Sequence, residues 1–123
     1  MNGLVLLKSQ MSGSSLIMAK FNYSETEQQL IIQFDEKKLD WTASENLMKP
    51  VLSEIDKVIG KDQKSEHLRI VFDLSGAEYV SSAFLRLVIR VSRRVSKENM
   101  KVINASTFIS NVMKGTGLSS LLI

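Results

Sequence analysis

Few residues in this 123-residue sequence are suited to catalysis. His67 is the one histidine and cysteine is absent, so a Ser-His-Asp triad would need His67 together with Asp73 or Asp40. No serine stands in a Gly-x-Ser-x-Gly elbow, and carboxylates alone remain as metal ligands. The phosphate-binding patterns Gly-x-x-x-x-Gly-Lys-Ser/Thr and Gly-x-Gly-x-x-Gly are also absent, and Gly115 and Gly117 follow a predicted helix instead of preceding one. We therefore predict a protein that is not an enzyme and needs no cofactor or metal.

Two adjacent serines begin a predicted helix, and two interpretations of them stay open. The hydroxyl of Ser81 or Ser82 could accept a hydrogen bond from an unpaired backbone amide and cap the helix, which is worth about 1 kcal/mol. Alternatively, the free amides and positive dipole end favour a phosphate on Ser82. Arg86, four residues further on, could pair with that phosphate.

The helix predicted over residues 82–96 has a basic stripe opposite an apolar arc. The basic residues of the stripe are three, four or seven positions apart, which places their charges on one face of the helix. The stripe is either a solvated surface or a docking surface for an acidic partner or phosphate. Nucleic-acid binding is not expected, since aromatic residues and glycines do not alternate with the basic ones. The arc comprises Leu85, Val88, Ile89 and Val95, broadened by Phe84, Leu87 and Val91; the stripe comprises Arg86, Arg90, Arg93, Arg94 and Lys97.

The elements that must position these residues have the predicted order ββαβαβα. Alternation of strands and helices in the second half predicts an α/β domain with a mixed sheet of four to five strands packed with helices. A nearly continuous apolar run over residues 68–74 predicts a central strand buried on both faces. The predicted strands are 16–23, 29–34, 68–74 and 101–104, the later helices are 82–96 and 107–114, and residues 118–123 pack or form a last strand.

The first predicted helix has apolar residues at helical spacing from Leu47 to Ile59. Asp40 or Thr42 could cap its start, and Gly60 falls where a C-terminal cap is expected. Pro50 inside a helix costs about 3 kcal/mol. Either the helix kinks there, or residues 42–48 form a separate short turn.

Residues 1–14 are predicted to be an N-terminal extension, either flexible or adding an edge strand through residues 4–7, and residues 15–123 to be the domain. No apolar run approaches the roughly 20 residues that span a bilayer, and Lys8 follows the short apolar patch, so neither membrane insertion nor a signal peptide is expected. The lack of cysteine suits a reducing cytoplasm. The net charge of +3 fits ordinary surface charge or an acidic partner.

Residues 69–90 resemble the central signature of STAS domains, the fold of bacterial anti-sigma factor antagonists. The family pattern is an apolar strand ending in Asp-Leu, a Ser-Gly turn, an aromatic residue, and Asp-Ser-Ser-Gly-Leu opening a helix. Residues 39–43, Leu-Asp-Trp-Thr-Ala, resemble the loop that opens the first helix of the family. Residues 113–118, Met-Lys-Gly-Thr-Gly-Leu, resemble its Thr-Gly-Leu segment. The resemblance extends over residues 16–122.

The resemblance implies a regulator of transcription that works by partner switching. Its unphosphorylated form would bind an anti-sigma factor or serine-protein kinase, phosphorylation would block binding, and a cognate phosphatase would restore it. Ser82 falls on the phosphoacceptor position and Ser81 on the preceding aspartate. Phe84 replaces a glycine and is expected to add bulk near the docking face. The partner-binding residues are then Asp40, Trp41, Ser81, Ser82, Ala83, Arg86 and Arg90.

A second function stays open, because STAS-like domains also dock on transporters. The alternative is a non-switching accessory subunit of a transporter, such as a lipid-exporting ABC system, or a signalling scaffold. Ser81 in place of the family's aspartate and Phe84 in place of its glycine motivate it. A homodimer is an open possibility under either function.

Overall fold

A mixed β-sheet packed with helices forms the fold, as predicted. The computed structural model describes residues 3–8, 17–62 and 67–123. Its strands are β1 (Gly3–Lys8), β2 (Ile17–Ser24), β3 (Gln29–Phe34), β4 (Lys38–Leu39), β5 (Arg69–Asp73), β6 (Tyr79–Val80) and β7 (Met100–Ile103); its helices are α1 (Trp41–Asp62), α2 (Ser82–Val95) and α3 (Thr107–Gly115), with short 3₁₀ helices at Lys97–Asn99 and Ser119–Leu121.

The main sheet has five strands in the order β1-β2-β3-β5-β7. The first three run antiparallel, which confirms the β2–β3 hairpin, and β3, β5 and β7 run parallel. Strands β4 and β6 form a separate two-stranded parallel ladder. Gly3–Lys8 is an edge strand on β2, residues 9–16 lie outside the described part, and a domain boundary after residue 14 stays a prediction.

Helices α1 and α2 contribute to the core that covers one face of the sheet. In β3 and β5 the residues alternate, so that Ile32 and Phe72 are fully buried whereas Ile31 and Val71 are only partly buried. The prediction that β5 is buried on both faces is therefore wrong. The rings of Phe34, Phe72 and Phe84 pack together, with centroids 4.9 to 6.0 Å apart.

Helix α1 corrects two predictions. It runs without interruption through Pro50, so residues 42–48 are not a separate turn; the buried Leu47, Val51 and Ile55 hold it on the sheet and offset the hydrogen bond that proline lacks. It also continues past Gly60 to Asp62, so Gly60 is not its C-terminal cap.

At the C-terminus of the chain, Leu122 forms a β-bridge with Val102, so the apolar tail packs beside β7.

Candidate partner-binding surface

The two short strands β4 and β6 bring the starts of α1 and α2 together. The amide of Ser81 donates to the carbonyl of Leu39 over 2.9 Å. Because β4 and β6 are parallel, Asp40 and Ser81 leave them side by side. The first turn of α3 joins the same end through Phe108, whose ring stacks on Tyr79. Three helix N-termini therefore meet at one edge of the fold.

Each of these helices is capped by the side chain just before it. Asp40 Oδ1 accepts from the amide of Ala43 over 2.9 Å, so Asp40 and not Thr42 caps α1. Ser81 Oγ accepts from the amide of Phe84 over 3.3 Å, and Ser106 caps α3 in the same way. Capping of α2 thus belongs to Ser81.

Ser82 is the first residue of α2, and its side chain is exposed. In the described part of the chain no hydrogen bond engages its hydroxyl. The two serines consequently have separate roles: Ser81 is a structural cap, and Ser82 presents an unengaged hydroxyl at the positive end of the helix dipole.

Trp41 and Arg86 form a cation–π contact across the starts of α1 and α2. The guanidinium carbon lies 5.5 Å from the centroid of the indole ring. Trp41 is 55% exposed, so the contact covers part of one ring face and leaves the rest open. The arginine reaches this ring from the same helix face as Ser82, since the two are four residues apart.

A stacked aromatic pair, Tyr79 and Phe108, joins β6, which leads into α2, to the first turn of α3, and no sequence pattern predicted it. The rings are stacked with centroids 5.9 Å apart, and the side chains are 41% and 49% exposed. Phe108 lies four residues before Val112, within the apolar spacing of α3, so the sequence pattern does not distinguish this exposed ring from the core residues of the helix. Exposed aromatic residues are enriched in protein interfaces. We call Trp41, Tyr79, Ser82, Arg86 and Phe108 the helix-start surface.

A turn after β5 holds this surface in place. The Asp73 carboxylate accepts from the amide of Ser75 and from Asn104 Nδ2, each over 3.0 Å. Asn104 has a left-handed backbone with a φ of 60°. At Gly76 any side chain would be crowded, because a Cβ would lie 3.1 Å from the carbonyl oxygen of Phe34. The turn leads directly to Tyr79, whose amide donates to the carbonyl of Lys37.

Ala83 of the predicted site, and Phe84 beside it, do not lie on the surface. Ala83 is fully buried, so its side chain cannot contact a partner. Phe84 is 1% exposed and belongs to the phenylalanine cluster of the core; the expectation that it adds bulk near the docking face is wrong. Arg90 is exposed but lies one helical turn beyond Arg86, where it lines a cleft together with Arg93 and Arg94.

The triad considered for His67 is not assembled. His67 lies two residues before β5, and β5 spans five residues, or roughly 16 Å. Ser82 lies past the opposite end of that strand, beside Asp40. Across the described ranges, no group of three histidine or acidic side chains is placed to hold a metal. Nor does any described helix have the length and apolar character needed to cross a bilayer.

Solved structures share this fold. The anti-sigma factor antagonist SpoIIAA in its unphosphorylated form superposes with a TM-score of 0.63 at 16% identity, over 85% of each chain. The chain has the STAS fold. The phosphorylated form of SpoIIAA, described as a Bacillus cell fate determinant, gives a TM-score of 0.57 at 17% identity, over 85% of this chain and 88% of that one.

The STAS fold is also matched within a larger protein. The structure of SLC26A9 gives a TM-score of 0.57 at 12% identity, over 99% of this chain and 22% of that one. The murine anion transporter Slc26a9 in its inward-facing state gives 0.54 at 13% identity, over 98% and 20%. No protein-family model matches the sequence, and no curated protein sequence matches it.

Proposed function

We propose that this STAS-fold chain is a non-enzymatic regulator that binds an anti-sigma factor of the serine-kinase class through the helix-start surface. The observation that carries the proposal is the placement of Ser82: it is exposed, unengaged by the described residues, and at the same edge of the fold as the exposed Trp41 ring and the stacked pair Tyr79 and Phe108. Aromatic side chains bury large areas on binding, and Arg86 adds a charged anchor. The cell compartment is proposed to be the bacterial cytoplasm.

Phosphorylation of Ser82 by the partner is the proposed switch. A phosphoserine carries up to about two negative charges at neutral pH. At the first residue of α2 the phosphate would be favoured by the unpaired amides and the helix dipole, so the fold would tolerate it. A partner packed against Trp41 and Tyr79 would have to desolvate those charges. Binding would therefore be lost without unfolding, and a phosphatase would restore it.

The test is a quantitative pull-down from the source organism. The unsubstituted chain, Ser82→Ala, Ser82→Asp and a control, Ser53→Asp, serve as baits. Ser53 is exposed on α1, twelve residues beyond Trp41, which is about 18 Å along the helix. A serine-kinase-class protein should be captured by every bait except Ser82→Asp, and with ATP it should phosphorylate Ser82. Equal capture by Ser82→Asp, with no phosphate on Ser82 by mass spectrometry, would remove the proposal.

A second function is favoured by one observation, the superposition of 99% of this chain on part of SLC26A9. On this account the chain is a non-switching accessory subunit of a membrane transporter. The same baits applied to detergent-solubilised membranes separate the two accounts. Capture of a transporter by all four baits, Ser82→Asp included, supports the accessory role. Capture that depends on Ser82 supports the switch.

A further inference from the structure

Three arginines and one leucine line an open cleft between α1 and α2, away from the helix-start surface. The cleft has a volume of about 330 Å³ and is lined by Leu52, Arg90, Arg93 and Arg94. Arg90 is eight residues beyond Ser82, or about 12 Å along α2. We propose that this cleft is a binding site for a small anion that carries a phosphate group. The proposal does not depend on the function proposed for Ser82.

Positive charge in this cleft is only partly neutralised by the protein itself. Arg94 forms an ion pair with Asp56 of α1, and Arg86, one turn nearer the start of α2, is occupied by Trp41. Within residues 3–8, 17–62 and 67–123, neither Arg90 nor Arg93 has an acidic partner. Like charges three or four residues apart on one helix face repel each other, as Arg90 does with Arg93 and Arg94. A bound anion would remove that repulsion.

The chemistry of the lining suits a phosphate group. Guanidinium groups are planar, always charged, and donate in a fork that matches two phosphate oxygens. Leu52, which is partly buried and packs against the core, offers an apolar contact for an organic substituent. The volume is at the low end of small-molecule sites, which begin at about 300 Å³. The ligand class is therefore a phosphate monoester with a short organic group.

Solution NMR tests the site, with inorganic phosphate and glycerol 3-phosphate as probes. In the native chain, the amide signals around Leu52 and Arg90–Arg94 should shift and saturate. Arg90→Gln with Arg93→Gln should weaken binding at least about tenfold. The control double variant, Arg69→Gln with Lys114→Gln, loses the same charge from exposed positions elsewhere and should bind as the native chain does. Far-UV circular dichroism checks that both variants are folded.

Vesicles distinguish the two sources of such a phosphate. The chain is sedimented with vesicles of phosphatidylcholine that contain phosphatidic acid. If the native chain and the control variant sediment with the vesicles but the double variant Arg90→Gln with Arg93→Gln does not, the ligand is a lipid headgroup. Saturable binding of glycerol 3-phosphate without vesicle binding identifies a free ligand. Either result supports the site. Unsaturable shifts, equal weakening in the control variant, or no binding of any probe would overturn it.

Discussion

The guanidinium carbon of Arg86 lies 5.5 Å from the centroid of the Trp41 ring and thereby links the starts of α1 and α2. Trp41 is the one tryptophan in the chain, so the tryptophan fluorescence reports the surroundings of this ring alone. An arginine over an exposed aromatic ring is worth about 0.5–1 kcal/mol. The contact also shields part of a ring that is otherwise open to solvent.

Removal of the Arg86 side chain should expose more of the Trp41 ring to solvent. We expect Arg86→Ala to raise the acrylamide quenching constant of the tryptophan emission, while Arg93→Ala, further along α2, leaves it unchanged. Ser82→Asp should raise quenching partially, because the new carboxylate competes with the ring for Arg86. If quenching is identical in all four proteins, Arg86 does not lie over Trp41 in solution.

The separate roles of the two serines predict stability effects of different size. Ser81→Ala removes the hydroxyl oxygen that caps α2 by accepting a hydrogen bond from the Phe84 amide. It should lower the free energy of unfolding by about 1 kcal/mol. Ser82→Ala should change it by less than about 0.5 kcal/mol, since its hydroxyl is exposed and alanine favours helices. Urea denaturation measures both. A larger loss in Ser82→Ala than in Ser81→Ala would reverse the assignment of the cap.

Asn104 combines a left-handed backbone with a hydrogen bond to Asp73, and two substitutions separate these contributions. Asn104→Gly loses the hydrogen bond alone and should cost about 1 kcal/mol of the free energy of unfolding. Asn104→Ala loses it and adds backbone strain of about 1 kcal/mol or more. Thermal or urea unfolding should therefore rank alanine below glycine. The reverse ranking would show that φ at residue 104 is not positive.

Two phenylalanines in opposite environments give a matched pair. Phe84, at 1% exposure, packs on two other rings, so Phe84→Ala should cost about 3–5 kcal/mol of the free energy of unfolding. Phe108 is 49% exposed, so Phe108→Ala should lower the free energy of unfolding by less than about 1 kcal/mol. The same substitution should weaken partner capture. Loss of capture without loss of stability in Phe108→Ala assigns it to the surface; unchanged capture excludes it.

Local sequence signals predicted most elements because they act within a few residues. The β-branched and aromatic run of β3 gave its bounds, Gln29–Phe34, as the structure has them, and the serines gave the start of α2. Neither Pro50 nor Gly60 ends α1, because packing of this helix on the core outweighs the low intrinsic helix propensity of the two residues.

The site was less predictable than the fold because its contacts join distant parts of the chain. Asp73 and Asn104 are 31 residues apart, and the Tyr79–Phe108 stack joins β6 to α3. Neither pair has a sequence signature. Phe84 was misplaced for a related reason: the family position holds a glycine, whereas here the core accommodates a ring between Phe34 and Phe72.

The switch proposed at Ser82 is tested by the affinity of the captured partner for the two phosphorylation states of the chain. Isothermal titration should compare the chain with serine at position 82 and the chain bearing phosphoserine there, incorporated during synthesis so that stoichiometry is complete. Burying that charge against an apolar partner surface costs several kcal/mol, so we predict at least a hundredfold weaker binding with unchanged far-UV circular dichroism. Equal affinity of the two forms would contradict the account.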